Sequence, residues 1–166
     1  MIVSLRRLSY ENLKEQLAPK DKIIVFGCNN CAKKCKAFGG RQGMSNLCAK
    51  LEADGIAVLH RELCGIVCSV DMVRKRKTDD ATRAAFAQAN VIIPLACENG
   101  ERALRHVFPD KKILETARPI GLGWGSPKVG VRIAVPFAGV PLQVDSPEGI
   151  TLDEAAKKLG MFAGSF

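Results

Sequence analysis

The sequence predicts an α/β fold built on a parallel β-sheet, and three observations support this class. Short apolar runs alternate with segments of helical periodicity, which is the pattern of parallel strands joined by right-handed crossovers. The chain has 166 residues, enough for one domain with a core but too few for a second domain of any size. Hydrophobic residues make up 47% and charged residues 25%, the balance of an ordinary globular protein.

Helix caps, apolar runs and helix-breaking residues predict the first helix and the first strand. Ser9 is predicted to cap a short helix that runs to about Leu17 and that Pro19 ends. Residues 22–28 form a continuous apolar run and are predicted as a buried strand. A cysteine-rich loop follows, and residues 39–40, two glycines, break the chain.

The middle of the chain repeats this alternation. Leu47, Cys48 and Leu51 fall at helical spacing, and the helix they predict ends at residues 54–55, Asp-Gly. Residues 56–60 are predicted as the second strand. The next predicted elements are an amphipathic helix over 67–77, a helix capped by Thr78, a third strand over 90–97, a helix to about Val107 and a fourth strand over 112–114.

The last part of the chain has a different composition. Glycine and proline are frequent from Arg118 to Pro147, and we predict a loop and a β-rich extension there. Thr151 and Glu154 form a capping box that opens a final helix, which Gly160 closes. The predicted architecture is therefore a three-layer, Rossmann- or flavodoxin-like core over residues 1–118. Residues 119–166 add the extension and the final helix, packed on the same domain.

Seven cysteines are unusual for a chain that we expect to be cytosolic, and their placement is informative. Five of them follow predicted strands: Cys28, Cys31, Cys35, Cys64 and Cys97. Because the carboxyl ends of parallel strands meet at one edge of the sheet, we expect these thiols to meet there. Four thiolates around a compact core are what a [4Fe-4S] cluster requires, so these five are the candidate ligands.

Other interpretations of the cysteines and histidines stay open. A zinc ion held by four thiolates is the main alternative, although such sites usually pair two Cys-x2-Cys knuckles and the chain has one. Cys48 is interpreted as a core residue, and Cys68 is either a core residue or a neighbour of Cys64. His60 and His106 are interpreted as structural or surface residues.

Charge and hydropathy exclude several function classes. The net charge is +8, but the basic residues are scattered and there is one Trp and one Tyr, so we predict no nucleic-acid binding. No apolar run approaches the roughly 20 residues of a membrane span, so we predict no membrane insertion and a cytoplasmic location. Lys33, Lys34 and Lys36 favour an acidic partner at the site.

Several segments together resemble the N-terminal part of the small zinc/iron–sulfur subunit of bacterial methylenetetrahydrofolate reductase, the "methylenetetrahydrofolate reductase C-terminal domain" family. The segments are FGCNNCAKKC over 26–35, Gly-Gly over 39–40, RELC over 61–64, LACENG over 95–100 and FPDK over 108–111. The resemblance covers about residues 1–118. Longer members carry a second cysteine-rich segment near the C-terminus, whereas this chain has no cysteine after Cys97.

The resemblance implies a subunit that carries an iron–sulfur cluster beside a catalytic flavoprotein and exchanges electrons with it. It implies the same five ligand candidates and a role in one-carbon metabolism of anaerobes. We therefore expect a non-catalytic electron-transfer or accessory subunit of an oxidoreductase. The alternatives are a structural zinc module for assembly and a cluster-dependent enzyme with an open iron site, in which Glu98, Arg102 or His60 would serve the substrate.

Overall fold

A parallel sheet forms the centre of the structure, a computed structural model that describes residues 1–126 and 128–166. Its strand order is β3-β2-β4-β5, so the predicted α/β class with a parallel sheet is confirmed. These strands are β2 (Ile23–Cys28), β3 (Val58–Cys64), β4 (Val91–Leu95) and β5 (Lys112–Ile113). The chain passes from β2 to β3 on one side and then returns to β4 on the other side, so the strand order reverses at β2.

Helices flank this sheet. They are α1 (Tyr10–Lys14), α2 (Cys31–Lys34), α3 (Gly40–Ala53), α4 (Val70–Thr78), α5 (Asp80–Gln88), α6 (Glu98–Val107) and α7 (Leu152–Leu159). Gly27 of β2 lies against Met44 of α3, whereas the ring of Phe26 lies 6.1 Å from that of Phe86 in α5. Successive residues of a strand point to opposite faces, so α3 and α5 cover opposite faces of β2.

A second, antiparallel sheet has the order β1-β6-β7-β8. Its strands are β1 (Ile2–Arg6), β6 (Ala117–Ser126), β7 (Gly130–Pro136) and β8 (Ile150–Thr151). The β-rich extension predicted after Arg118 is present as β6, β7 and β8, and the proposed boundary at residue 118 falls inside β6. Pro127, part of the glycine- and proline-rich region, lies outside the described residues.

Two predicted boundaries were wrong in instructive ways. The second parallel strand runs over Val58–Cys64 rather than 56–60, because it pairs with β2 through Cys28. Asp79, not Thr78, caps α5, since its side chain accepts from the Ala81 N–H, whereas the Thr78 hydroxyl donates back to the Arg74 carbonyl. The predicted capping box of α7 is confirmed, and Gly160 ends that helix in the left-handed conformation.

The C-terminal segment packs on β1. Arg6 and Phe162 exchange backbone hydrogen bonds of 2.9 and 3.2 Å. The buried Arg6 guanidinium donates to the Gly164 carbonyl at 2.8 Å and lies 4.4 Å from the centre of the Phe166 ring. Both ends of the chain are therefore joined beside the cysteine-rich loop. Within residues 1–126 and 128–166, no helix combines the length and the hydropathy that crossing a bilayer requires.

Candidate metal centre

Cys28 and Cys64 end two neighbouring strands and are partners in the parallel register. The N–H of Asn29 donates to the Cys64 carbonyl at 2.9 Å, which extends the pairing one residue past the strands. Partners on adjacent strands are about 4.8 Å apart and their side chains face the same way. Both cysteines are buried, and burial together with the nearby Cys28 thiol raises the pKa of Cys64. Two segments thus bring thiols to the carboxyl edge of the sheet.

Cys97 reaches the same edge from the other side of β2. It follows β4, whose Leu95 is the register partner of Gly27, and it is the N-cap residue of α6. Burial raises the pKa of Cys97, and the charges of the nearby Cys68 and Cys28 raise it further. Backbone N–H groups of the first turn of α6, from Gly100 and Asn99, act in the opposite direction by stabilising the thiolate. Cys97 therefore follows the strand on the other side of β2 from Cys64, and the charge of Cys28 acts on its pKa.

Cys31 and Cys35 are placed by α2, a single turn that follows Asn30. The Cys35 N–H donates to the Cys31 carbonyl at 3.2 Å, so this turn brings the two residues together. Burial raises the pKa of Cys35 to about 11, and the nearby Cys31 and Cys97 thiols contribute in the same direction. The N–H of Ser4 in β1 faces the Cys35 thiol and lowers the pKa. Cys35 is thus held between the parallel sheet and β1.

The chain beyond Cys35 turns sharply back towards the sheet. Lys36 and Ala37 both have positive φ, 49° and 55°, a conformation that non-glycine residues rarely adopt. Gly39 then passes so close to β2 and β4 that a Cβ there would lie 2.6 Å from the Cys28 carbonyl oxygen. Lys36 also forms an ion pair with Asp153 of α7, in which Nζ lies 2.6 Å from Oδ2, and this contact ties the turn to α7. This packing determines where the loop cysteines lie.

Cys68 is a sixth member of the group, which the sequence left undecided. It lies in the short segment between β3 and α4 and is exposed. Burial of part of its side chain raises the pKa of Cys68, and the nearby Cys28 and Cys31 thiols raise it further. Its spacing of four residues from Cys64 was the only signal for this position, and that signal could not separate a site residue from a core residue.

Cys48 and His60 stand apart from the group. Cys48 is fully buried on α3, and the charged groups that act on its pKa besides burial are Arg61 and Glu52 rather than another cysteine. His60 lies inside β3, four residues before Cys64, which is roughly 13 Å along a strand. Its Nε2 is 3.1 Å from a Glu62 oxygen, and its ring lies edge-on to Phe86. The contacts of Cys48 and His60 are therefore those of residues with a structural role.

Two other polar residues named as substrate groups pair with each other. The Arg102 guanidinium donates to the Glu98 carboxylate at 2.7 Å, one turn apart on α6. His106, at the end of that helix, lies 3.1 Å from the Arg74 guanidinium. None of these contacts involves a cysteine. A cavity of about 540 Å³ lies instead beside Asn29, and Lys33 and Arg41 give its lining a positive charge.

The six cysteines offer sulfur donors alone, without a histidine or carboxylate among them. Thiolates are the ligands that iron–sulfur clusters and zinc share, so the donor chemistry fits either. Within the described residues, no three or more histidine, cysteine, aspartate or glutamate side chains have the arrangement of a metal site. The buried Ser4 hydroxyl, on the residue whose N–H faces Cys35, has no hydrogen-bond partner among residues 1–126 and 128–166.

Comparisons of the chain with protein-family models, with curated proteins and with solved structures gave no match. The functional argument therefore depends on the cysteine group itself. Its position is informative in general terms, because ligands of open α/β sheets bind outside the carboxyl ends of the strands where the strand order reverses. Cys28 and Cys97 flank that point, at the ends of β2 and β4.

Proposed function

We propose that the chain holds one iron–sulfur cluster, of the [4Fe-4S] type, at the carboxyl edge of its parallel sheet. The observation that carries the proposal is the placement of cysteines at the ends of the central strands: Cys28 and Cys64 are register partners, and Cys97 follows β4 on the other side of β2. A core that needed only small apolar side chains would not require sulfur at the end of every central strand. A shared cofactor does require it.

The proposed ligands are drawn from the five cysteines that follow strands, and Cys68 is an additional neighbour. Burial raises the pKa of Cys35, Cys64 and Cys97, so these thiols are held protonated until a positive centre compensates for the lost hydration. A cluster bound by these cysteines would supply that positive charge. We also infer a three-layer, Rossmann-like arrangement of the core, supported by the packing of α3 and α5 on opposite faces of β2.

The surrounding groups suit an anionic centre. Backbone N–H groups of Ser4, Asn99 and Gly100 face cysteine sulfurs and stabilise their negative charge. Lys33 and Lys34 are exposed on α2, between Cys31 and Cys35. Hydrogen bonds to sulfur and nearby positive charge both raise the reduction potential of a cluster. When bound, such a cluster supplies one-electron transfer, while the protein residues hold it, tune it and attract the partner.

An electron-transfer or accessory subunit of an oxidoreductase is the role we assign to this site. The resemblance to the small subunit of methylenetetrahydrofolate reductase supports it and points to a flavoprotein partner, one-carbon metabolism and the cytoplasm. The candidate ligands are sulfur donors alone, which agrees with a redox role rather than hydrolytic chemistry. Nothing in this role requires the chain to bind the substrate of the reductase.

Metal analysis of protein purified without oxygen tests the proposal. We expect a brown protein with about four irons and four sulfides per chain, and an EPR signal after reduction with dithionite. Reconstitution of the metal-free chain with iron and sulfide should restore both. A colourless protein that takes up one zinc and no iron under the same conditions would favour the assembly module instead.

A second candidate function is an enzyme with an open iron site, and the cavity beside Asn29 favours it. The cavity measures about 540 Å³, adjoins the end of β2, and carries Lys33 and Arg41 for an anionic substrate. Arg41→Gln would then alter the EPR signal obtained in the presence of small carboxylates. If the signal is unaffected by such anions in both proteins, the electron-transfer role stands alone.

A further inference from the structure

Ser4 of β1 carries a buried hydroxyl that no group of the folded chain satisfies within residues 1–126 and 128–166. The residue is only 3% exposed, so water does not reach the hydroxyl from the surface. A buried polar group without a partner loses its hydration and gains nothing in return, which is why such groups are rare in native proteins. This donor therefore points to an acceptor that the polypeptide itself does not supply.

The backbone of Ser4 meets the cysteine-rich loop at the free edge of β1. Arg6 donates its N–H to the Phe162 carbonyl, on the edge of β1 that faces away from β6. The N–H groups of residues two apart in an antiparallel strand point to the same edge, so the Ser4 N–H also points away from β6. The group that it faces there is the sulfur of Cys35.

The side chain of Ser4 lies on the face of β1 that packs on the same loop. Ser4 shares this face with Arg6, because side chains two residues apart on a strand point the same way. The Arg6 guanidinium lies 4.4 Å from the centre of the Phe166 ring. The Phe166 ring in turn lies 6.5 Å from that of Phe38, whose N–H donates to the Cys35 carbonyl. The hydroxyl therefore faces the segment that holds Cys35.

Sulfur becomes a good acceptor at this place only when a metal is bound. A protonated thiol accepts hydrogen bonds weakly, whereas a cysteine that binds a metal is a thiolate. Hydrogen bonds to a charged acceptor are about twice as strong as those between neutral groups. An iron–sulfur cluster held by Cys35 would thus provide the acceptor that the Ser4 hydroxyl lacks.

We propose that Ser4 is a positioning residue of the metal centre, whose hydroxyl donates a hydrogen bond to sulfur on the Cys35 side of the bound cluster. The inference rests on the proposed function and deepens it, because it makes Cys35 one of the ligands and makes β1 a part of the site. Hydrogen bonds to sulfur stabilise the more negative, reduced form of a cluster, so this one raises the reduction potential.

The test compares the wild type with Ser4→Ala, Ser4→Thr and Thr82→Val after anaerobic reconstitution, and iron content is measured first on each protein. Thr82→Val is the matched control, because Thr82 is also buried but its hydroxyl donates to the Arg76 carbonyl. The reduction potential is obtained by titration with dithionite in the presence of redox mediators, followed by EPR. Urea denaturation of the metal-free chains is the second measurement.

We expect Ser4→Ala to keep the wild-type iron content and to shift the reduction potential to a more negative value. Ser4→Thr keeps the hydroxyl and should have a potential near that of the wild type, as should Thr82→Val. In the metal-free chain, Ser4→Ala should not lower the urea midpoint, because the hydroxyl that it removes has no partner there. Thr82→Val should lower the midpoint, because it removes a hydrogen bond.

Three results would overturn the proposal. They are an unchanged potential in iron-loaded Ser4→Ala, an equal shift in Thr82→Val, and a metal-free Ser4→Ala that loses as much stability as Thr82→Val. The last result would show that the hydroxyl already has a partner, such as an ordered water, in the folded chain. Loss of iron from Ser4→Ala but not from Ser4→Thr would also support the hydrogen bond, whereas loss from both would contradict it. A wild type that binds no iron would refute the proposed function as well, whereas an unchanged potential in iron-loaded Ser4→Ala refutes this inference alone.

Discussion

Cys28 and Cys64 occupy the same register position on neighbouring parallel strands, β2 and β3. The apolar pattern of the two strands determines this pairing, since a slip of one residue would turn every side chain of a strand to its other face. The two sulfurs therefore share a face because the hydrophobic core aligns the strands. Cys97 approaches from β4 on the other side of β2, so the site depends on the order of the three central strands.

The exposure of Cys68 predicts its chemical reactivity. All seven cysteines lie in the described residues, and Cys68 alone is exposed. In metal-free protein, brief treatment with iodoacetamide should therefore modify Cys68 first and leave Cys48, which is fully buried, unmodified until unfolding. Peptide mass spectrometry over a time course measures the order. Modification of Cys48 before Cys68 would contradict the arrangement of the β3–α4 segment.

The close approach of Gly39 to the strand ends predicts that a methyl group there is harmful. In Gly39→Ala the new Cβ would lie 2.6 Å from the Cys28 carbonyl oxygen and 2.8 Å from that of Leu95, so the backbone must move. We expect a loss of about 1–3 kcal/mol in the free energy of unfolding. Iron retention should fall as well, because the loop that carries Cys31 and Cys35 is displaced.

Gly65→Ala is the matched control for this change. Its Cβ would meet only the flexible end of Met72, at 3.1 Å, although the position directly follows the candidate ligand Cys64. Urea denaturation and iron analysis should give values near those of the wild type. Equal effects of the two substitutions would show that the close packing of Gly39 is not what positions the loop.

The buried carboxyl of Glu101 predicts a pH dependence of stability. It accepts hydrogen bonds from the N–H groups of Thr116 and Ala117, at 2.8 and 3.0 Å, yet burial raises its pKa above the ordinary value. Because the folded state binds this proton more tightly than the unfolded chain does, protonation of the carboxyl contributes stability at low pH. That contribution is complete below the unfolded-state pKa, about 4.3, and is lost as the pH rises through the folded-state pKa. The folded state therefore favours the protonated form of this carboxyl over the ionised form more than the unfolded chain does.

Replacing this carboxyl with an amide should remove the pH effect. Glu101→Gln keeps an oxygen that can accept from Thr116 and Ala117 but has no charge to bury. Relative to this variant, the wild type should lose stability as the pH rises above about 4. Chemical denaturation at a series of pH values measures the difference. A difference that stays constant, or that moves in favour of the wild type with rising pH, would contradict the assigned cause.

The central sheet and much of the candidate site could be predicted from the sequence because both follow from local patterns. The apolar runs before Cys28 and Cys97 are strands buried on both faces, which read as continuous hydrophobic segments. Thr151 and Glu154 lie three residues apart, and that spacing alone predicts the capping box. Parallel strands end at one edge of a sheet, and Cys28 and Cys64 accordingly lie side by side in the register.

The remaining features depend on contacts between distant segments. Ile2–Arg6 is a strand because it pairs with β6, more than 100 residues away, and no local signal announces that pairing. The approach of Cys68 to Cys28 and Cys31 depends on how the segment after β3 folds back. The exposed side chains of Leu122 and Val135 lie side by side only because β6 and β7 pair in this register, which no local pattern predicts.

The most direct test of the shared site compares Cys97→Ser with Cys48→Ser, two buried cysteines of which only the first belongs to the group. Iron content and the EPR spectrum of the reduced protein are measured after anaerobic reconstitution of both variants and the wild type. We predict that Cys97→Ser loses most of its iron or shows an altered signal, while Cys48→Ser keeps the wild-type iron content and spectrum. Full iron and an unchanged spectrum in Cys97→Ser, with loss in Cys48→Ser, would contradict the account.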